Sequence, residues 1–276
     1  MMHTMSTIGC PEWDLETVCQ RANEYGFDGI DFRGLEDELD ITQTTEFTDR
    51  LDETKRLLSE SDLEVTGISS SITVCEEDAK AKNRRAAERL IETASDLDVE
   101  YVRVFGGGDL ANRSRSALVE TAAETVDEIL RIDGARDVQW LIETHDNWTS
   151  GEDCLKLVDR ISDPNVGVLW DVGHTTRVGG ESPRETYDLI GDDLEYLHVK
   201  DAVYDADHPD AMDDGWRYVP PGEGELPLAE ALKMLQAEGY DGWVMFEHEK
   251  RWHPELPGPE TAYPEYMEWF ESLDLQ

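Results

Sequence analysis

Eight times along the chain a short β-rich apolar run is followed by a stretch with helical spacing, and this alternation limits the fold more than any other feature. The runs fall at residues 3–8, 29–32, 64–69, 101–105, 138–143, 166–171, 194–199 and 242–247. Between them, Leu15, Val18, Cys19 and Ala22 recur at i, i+3, i+4 and i+7, as do Ala87, Leu90, Ile91 and Ala94, and later Leu228, Ala231, Leu232 and Leu235. That spacing gathers apolar side chains on one helical face. Helices are also expected near 47–59, 116–131, 152–161 and 183–190, with a closing one around Tyr266, Trp269, Phe270 and Leu273. Strands that alternate with helices pair in parallel. Eight units in 276 residues, about 34 each, predict a (β/α)8 barrel, with a doubly wound open sheet as the rival.

One detail supports the repeat. Gly26-Phe27-Asp28-Gly29-Ile30 and Gly239-Tyr240-Asp241-Gly242-Trp243 share one plan of helix stop, aromatic, Asp-Gly turn and strand. No shift in composition marks a second domain, so residues 1–276 are read as a single barrel domain. The stretch 201–226, which carries Pro220-Pro221-Gly222, exceeds an ordinary connection and is expected to lie over the catalytic face.

Charge decides what such a barrel can meet. The chain has 24 Lys and Arg against 64 Asp and Glu, a net charge of −40, spread along its whole length. A polyanionic surface repels the phosphate backbone of nucleic acid. It also repels itself unless salt screens it, over roughly 10 Å at 0.1 M and about 3 Å at 1 M. The expectation is a protein of a salt-rich cytosol. No run of about 18 apolar residues predicts a membrane span. The N-terminus lacks the basic and apolar regions of a secretion signal, and Cys10, Cys19, Cys75 and Cys154 form no CxxC pair. A cytoplasmic protein with free thiols is the expectation.

Four of the apolar runs end in a residue able to bind metal: Glu143 in LIETHDNW, Asp171 in VGVLWDVGH, His198 in EYLHVKD and Glu247 in WVMFEHEK. Asp171 follows Glu143 by 28 residues and His198 follows Asp171 by 27, each one βα unit. In a parallel barrel the C-terminal strand ends converge on one mouth. A charged group ending a buried strand is costly to desolvate without a partner, and three carboxylates meeting there call for a cation. The oxygen-rich donor set suits one divalent ion, Mn2+ or Mg2+, with Co2+ or Zn2+ admissible.

The strings IETH, WDVGH, HVKD and FEHE, in this order on successive strands, resemble the sugar isomerase and epimerase group built on the xylose-isomerase-like TIM barrel. That group includes ketose 3-epimerases, hydroxypyruvate isomerase, and inosose isomerases and dehydratases. The resemblance is firmest from the fourth strand onward. It implies that Glu143, Asp171, His198 and Glu247 share one divalent metal, and that Glu143 and Glu247 exchange protons with a small sugar or keto-polyol through a metal-stabilised enediolate. It further implies that His174 touches substrate, and that Arg217, before the GEGE-like turn 222–225, binds it. Enzymes of this kind commonly form homo-oligomers. A lyase on the same metal site, such as a dehydratase or C-glycoside-cleaving enzyme, is the alternative. A barrel without chemistry and an abasic-site endonuclease are more remote, the latter needing more histidines than the 7 present.

Other residues carry weaker expectations. His145, two past Glu143, points into the mouth by strand alternation and is a substrate contact. Lys200 and Asp201 are placed around His198. Trp13, Trp148 and Trp252 follow strand ends. Gly106, Gly107 and Gly108 suggest a turn that passes near phosphate, and Arg33, Arg103 and Arg251 are candidates for phosphate or carboxylate.

Overall fold

The computed structural model describes residues 1–275. In chain order the strands are β1 (Met2–Ser6), β2 (Gly29–Phe32), β3 (Glu64–Thr73), β4 (Tyr101–Phe105), β5 (Gln139–Glu143), β6 (Val166–Asp171), β7 (Leu194–Val199), β8 (Asp201–Tyr204), β9 (Trp216–Val219) and β10 (Trp243–Phe246). All except β8 and β9 pair in parallel, and they close a barrel in the order β1-β10-β7-β6-β5-β4-β3-β2. The open-sheet rival is thereby excluded. The helices are α1 (Leu15–Tyr25), α2 (Leu51–Glu60), α3 (Lys80–Leu97), α4 (Arg115–Leu130), α5 (Gly151–Ile161), α6 (Val172–Arg177), α7 (Pro183–Ile190), α8 (Leu228–Glu238) and α9 (Pro259–Ser272). No helix among the described residues is long and apolar enough to cross a membrane. All four cysteines are buried and unpaired.

The two echoed Asp-Gly turns are the same device. Gly26 ends α1 and Gly239 ends α8 in the left-handed conformation, at φ of +87° and +89°, their N–H groups closing the last helical turn. An L-residue with a Cβ is strained there. The apolar faces read from spacing are the buried ones: Leu15, Val18, Cys19 and Ala22 on α1, and Leu228, Ala231, Leu232 and Leu235 on α8.

Three boundaries depart from the sequence reading. The first run gives up its strand at Ser6, whose hydroxyl caps a 3-10 turn over Thr7–Gly9. The helix expected at 47–59 starts at Leu51, because 46–50 fold as turns. The stretch 201–226 is not irregular throughout, since β8 and β9 form an antiparallel hairpin in which Asp201 faces Val219 and Tyr204 faces Trp216.

Inside the barrel, side chains stack by height. An apolar layer of Leu141, Leu169, Tyr196, Trp243 and Met245 fills the lower part. Beside it Thr66 bonds both Thr4 and the Tyr196 hydroxyl, at 2.9 and 2.8 Å. This floor keeps the barrel from being a pore and sets the depth of the mouth.

Candidate metal centre

Strand register brings the four predicted ligands to one place. Asp171 on β6 lies opposite His198 on β7. Met245 on β10 lies opposite His198, so Glu247, two residues on, faces the same way. Glu143 on β5 lies opposite Leu169 and therefore shares the inward parity of Asp171. Each of the four offers one ligand atom within 4.8 Å of the others. They are 1%, 0%, 0% and 7% exposed for Glu143, Asp171, His198 and Glu247.

Their lone pairs are left open. Both carboxylate oxygens of Glu143, Oδ2 of Asp171 and both ring nitrogens of His198 are buried without a hydrogen-bond partner among the described residues. Buried polar atoms are rarely orphaned, and a cluster of them points to an ion. The other Asp171 oxygen is occupied: Oδ1 accepts from the His174 N–H at 2.8 Å as the N-cap of α6, which fixes the carboxylate and turns Oδ2 inward. The donor set of three carboxylates and one imidazole fits a divalent cation.

The electrostatics show the same demand for positive charge. Burial alone would push the His198 pKa down, yet Glu247 and Glu143 outweigh it and raise it to about 10. Burial likewise opposes ionisation of Glu143 and Glu247. Arg103 nevertheless holds Glu143 well below the usual carboxylate range, and Lys200 and His198 do so for Glu247. Asp171 moves the other way, its pKa raised by burial despite Lys200. A proton on His198 thus stands where a cation is wanted, and a bound ion would displace it.

Cations brace the cluster from both sides. Lys200 follows His198 and is 2% exposed. Its ammonium reaches Asp171 at 3.0 Å, Glu249 at 2.9 Å and also Glu247. It therefore bridges carboxylates rather than attending His198. Asp201 does not attend His198 either: its carboxylate accepts from the N–H groups of Gly222, Gly224 and Leu226 at 2.8, 3.0 and 3.3 Å. The Gly-rich turn is thus anchored beside β7. On the opposite side Arg103 Nε stands 3.2 Å from Glu143 Oε2, an ion pair without hydrogen-bond alignment, while its guanidinium donates to the Ser70 carbonyl and lies 3.8 Å above the Phe105 ring.

His174 is buried, with Nδ1 3.6 Å from Asp171 and 3.8 Å from Glu143. His145 is half-buried, its ring 4.7 Å from that of His174, and one ligand atom of each lies within 4.8 Å of Glu143. Arg217 is not brought to this group. It sits on β9 with Nε 4.0 Å from Asp205. Alternation turns its neighbour Tyr218 the other way, toward Arg177 and Glu249.

Trp148 and the glycine run find packing roles. Trp148 is fully buried and donates to the Gly107 carbonyl at 2.8 Å, and a Cβ on Gly106 would lie 2.0 Å from its ring. The glycine run makes room for that indole rather than presenting N–H groups to phosphate. Trp13 is buried and Trp252 half-exposed. Spacing did not reveal Asp31, an inward residue of β2 that is 2% exposed with one oxygen unpartnered. The available signal was a lone charge inside the short apolar strand GIDF.

Comparison with known proteins matches this picture. A curated relative, inosose dehydratase of Lacticaseibacillus casei, is 28% identical over 130 residues, 43% of this chain and 43% of that protein. The chain thus matches under half the length of that relative. Among solved structures, the IOLI protein with a bound zinc atom superposes with a TM-score of 0.80 at 18% identity, covering 99% of this chain and 98% of that one. The probable 3-DHS dehydratase AsbF of Bacillus anthracis gives 0.78 at 19%, covering 98% and 99%. D-psicose 3-epimerase of Clostridium cellulolyticum H10 gives 0.75 at 15%, covering 99% and 98%. At such identities these likenesses concern the fold. Residues 19–273 match the family described as xylose isomerase-like TIM barrel, and the chain belongs to that family.

Proposed function

We propose that the barrel mouth is a divalent-metal-dependent proton-transfer centre acting next to the carbonyl of a small sugar or keto-polyol. The observation that carries this reading is the convergence of ligand atoms from Glu143, Asp171, His198 and Glu247, with buried atoms of the first three left without a hydrogen-bond partner among the described residues. A divalent cation held by these residues supplies Lewis acidity toward carbonyl and hydroxyl oxygens, which makes the neighbouring C–H more acidic. Glu143 and Glu247, both kept ionised by their cationic neighbours, serve as the bases that take and return the proton. His145 stands beside them as a donor to a substrate oxygen, and the neutral His174, whose Nδ1–H is held by the Thr144 carbonyl at 3.1 Å, offers its other ring nitrogen as an acceptor for a substrate hydroxyl. Lys200 keeps Glu247 oriented.

Return of the proton to the other face or to the neighbouring carbon is epimerisation or isomerisation. Loss of a β-hydroxyl after the same abstraction is dehydration. The likeness to an inosose dehydratase supports the second outcome as much as the likeness to epimerase folds supports the first. Mn2+ or Mg2+ is the proposed ion, and a salt-rich cytosol the proposed setting.

The test is a panel of ketoses and keto-polyols with Mn2+ in deuterated water, followed by NMR. Deuterium wash-in without loss of mass marks isomerisation, and loss of water marks the dehydratase. Glu247→Gln should slow either by about 10²-fold or more while the melting profile shows an intact fold. A variant as fast as wild type would remove Glu247 from the base role.

A further inference from the structure

Of the three arginines that could meet an anion, two are already engaged. Arg251 donates to the backbone carbonyls of Glu36 and Asp37 on the loop after β2, the latter at 2.9 Å. Arg103 is held by Ser70, Phe105 and Glu143. Arg33 differs from both. It is only 9% exposed, its Nη1 is buried without a partner, and its side chain makes no hydrogen bond or ion pair with any described residue. The charges that act on it are those of the mouth: Arg103, Glu143, Glu247 and Asp31. Burial and then Arg103 lower its pKa to about 10, so it stays charged at neutral pH. Its position is fixed as well. The Arg33 N–H donates to the Thr7 hydroxyl at 3.0 Å, and that hydroxyl donates to the Gly34 carbonyl at 2.6 Å. A buried guanidinium left without an acceptor is costly and persists where a ligand completes it.

We propose that the substrate carries a carboxylate and that Arg33 receives it, which rests on the reading of the mouth given above and narrows it to keto acids of the sugar type. A planar guanidinium matches a carboxylate with two parallel hydrogen bonds. A phosphate dianion needs more donors than this wall offers. The N–H groups of Gly222 and Gly224 face Asp201, and Lys200 is shared by three carboxylates. A single cation of the mouth left without a partner among the described residues therefore calls for one singly charged, planar anion.

The experiment is calorimetric titration of the full chain, with and without Mn2+ at fixed ionic strength, using three matched ligands. 2-Keto-D-gluconate, D-fructose and D-fructose 1-phosphate differ in carrying carboxylate, hydroxymethyl or phosphate at one end. The acid should bind about tenfold tighter than the ketose, or better, and tighter than the phosphate ester. Arg33→Met should shrink the acid-to-ketose ratio to within about twofold, and Arg33→Lys should recover part of it. Arg33→Met should also melt at or above the wild-type temperature, since it removes an unpaired buried charge; a purely structural arginine would show the reverse. Equal affinity for acid and ketose in the wild type, no binding of the acid, tightest binding of the phosphate ester, or a preference that survives Arg33→Met would each overturn the assignment. Failure to take up Mn2+ would overturn the proposed function alone, because the acid-to-ketose comparison on metal-free protein still judges Arg33.

Discussion

Lys200 joins Asp171, Glu247 and Glu249 through one ammonium group inside a buried mouth. Taking it away would leave three carboxylates facing each other in a medium that screens poorly. Removing one partner of a buried ion pair costs about 3–5 kcal/mol. Lys200→Met is therefore expected to melt well below wild type in EDTA, and to regain a large part of the difference when Mn2+ is added. Melting curves with and without the ion check this; equal losses in both would show that Lys200 and the ion do not share a task. The four candidate ligands were legible in the sequence because each terminates an apolar run, such as Leu169-Trp170 before Asp171. Lys200 and Asp201 were legible as present but not as to their partners, since those lie 47 residues onward at Glu247 and 21 to 25 onward in the Gly-rich turn. Arg33 could not be ranked above Arg103 and Arg251 from spacing. What separates them is which acceptors the fold brings near.

At the scale of elements, β1 and α9 meet at His3. Its ring lies 4.0 Å from that of Phe270 on α9, and Nδ1 is 3.2 Å from the Tyr266 hydroxyl. Burial lowers the His3 pKa from 6.5 to about 4, only partly opposed by Asp28. The unfolded chain then binds the proton first, so this contact stabilises fully above pH 6.5 and loses its contribution as pH falls toward 4. Between pH 7 and pH 5 wild type should lose about 2–4 °C more of its melting temperature than His3→Gln. Parallel slopes in the two proteins would rule His3 out. The strands that end at the mouth were readable because buried parallel strands are near-continuous apolar runs. The β8–β9 hairpin was not. Its strands lie outside the barrel, and β9 is half-buried along its whole length, so no alternation marks it. Helix α6 was hidden for another reason: its N-cap is Asp171 itself, a residue whose more conspicuous property is its place at a strand end.

For the whole molecule the net charge of −40 dominates. Many of the basic residues sit in exposed pairs one helical turn apart, as in Arg21–Glu24, Arg50–Glu53 and Arg84–Glu88. Such pairs contribute about 0–1 kcal/mol each and weaken with salt. The excess negative charge has no such partner, and its mutual repulsion is what added salt chiefly removes. The melting temperature is expected to climb steadily as KCl rises from about 0.1 M to about 3 M; a flat profile would remove the case for a salt-rich setting. The barrel order, finally, divides the ring into two arcs. Strands β10, β7, β6 and β5 stand side by side and carry or lead into all four candidate ligands, whereas β1 to β4 complete the circle with Asp31 and Arg103 and lead into Arg33. Selection can therefore rewrite the Arg33 end of one semicircle to suit a new substrate while the other, with Arg103 kept beside Glu143, retains its candidate ligands unchanged.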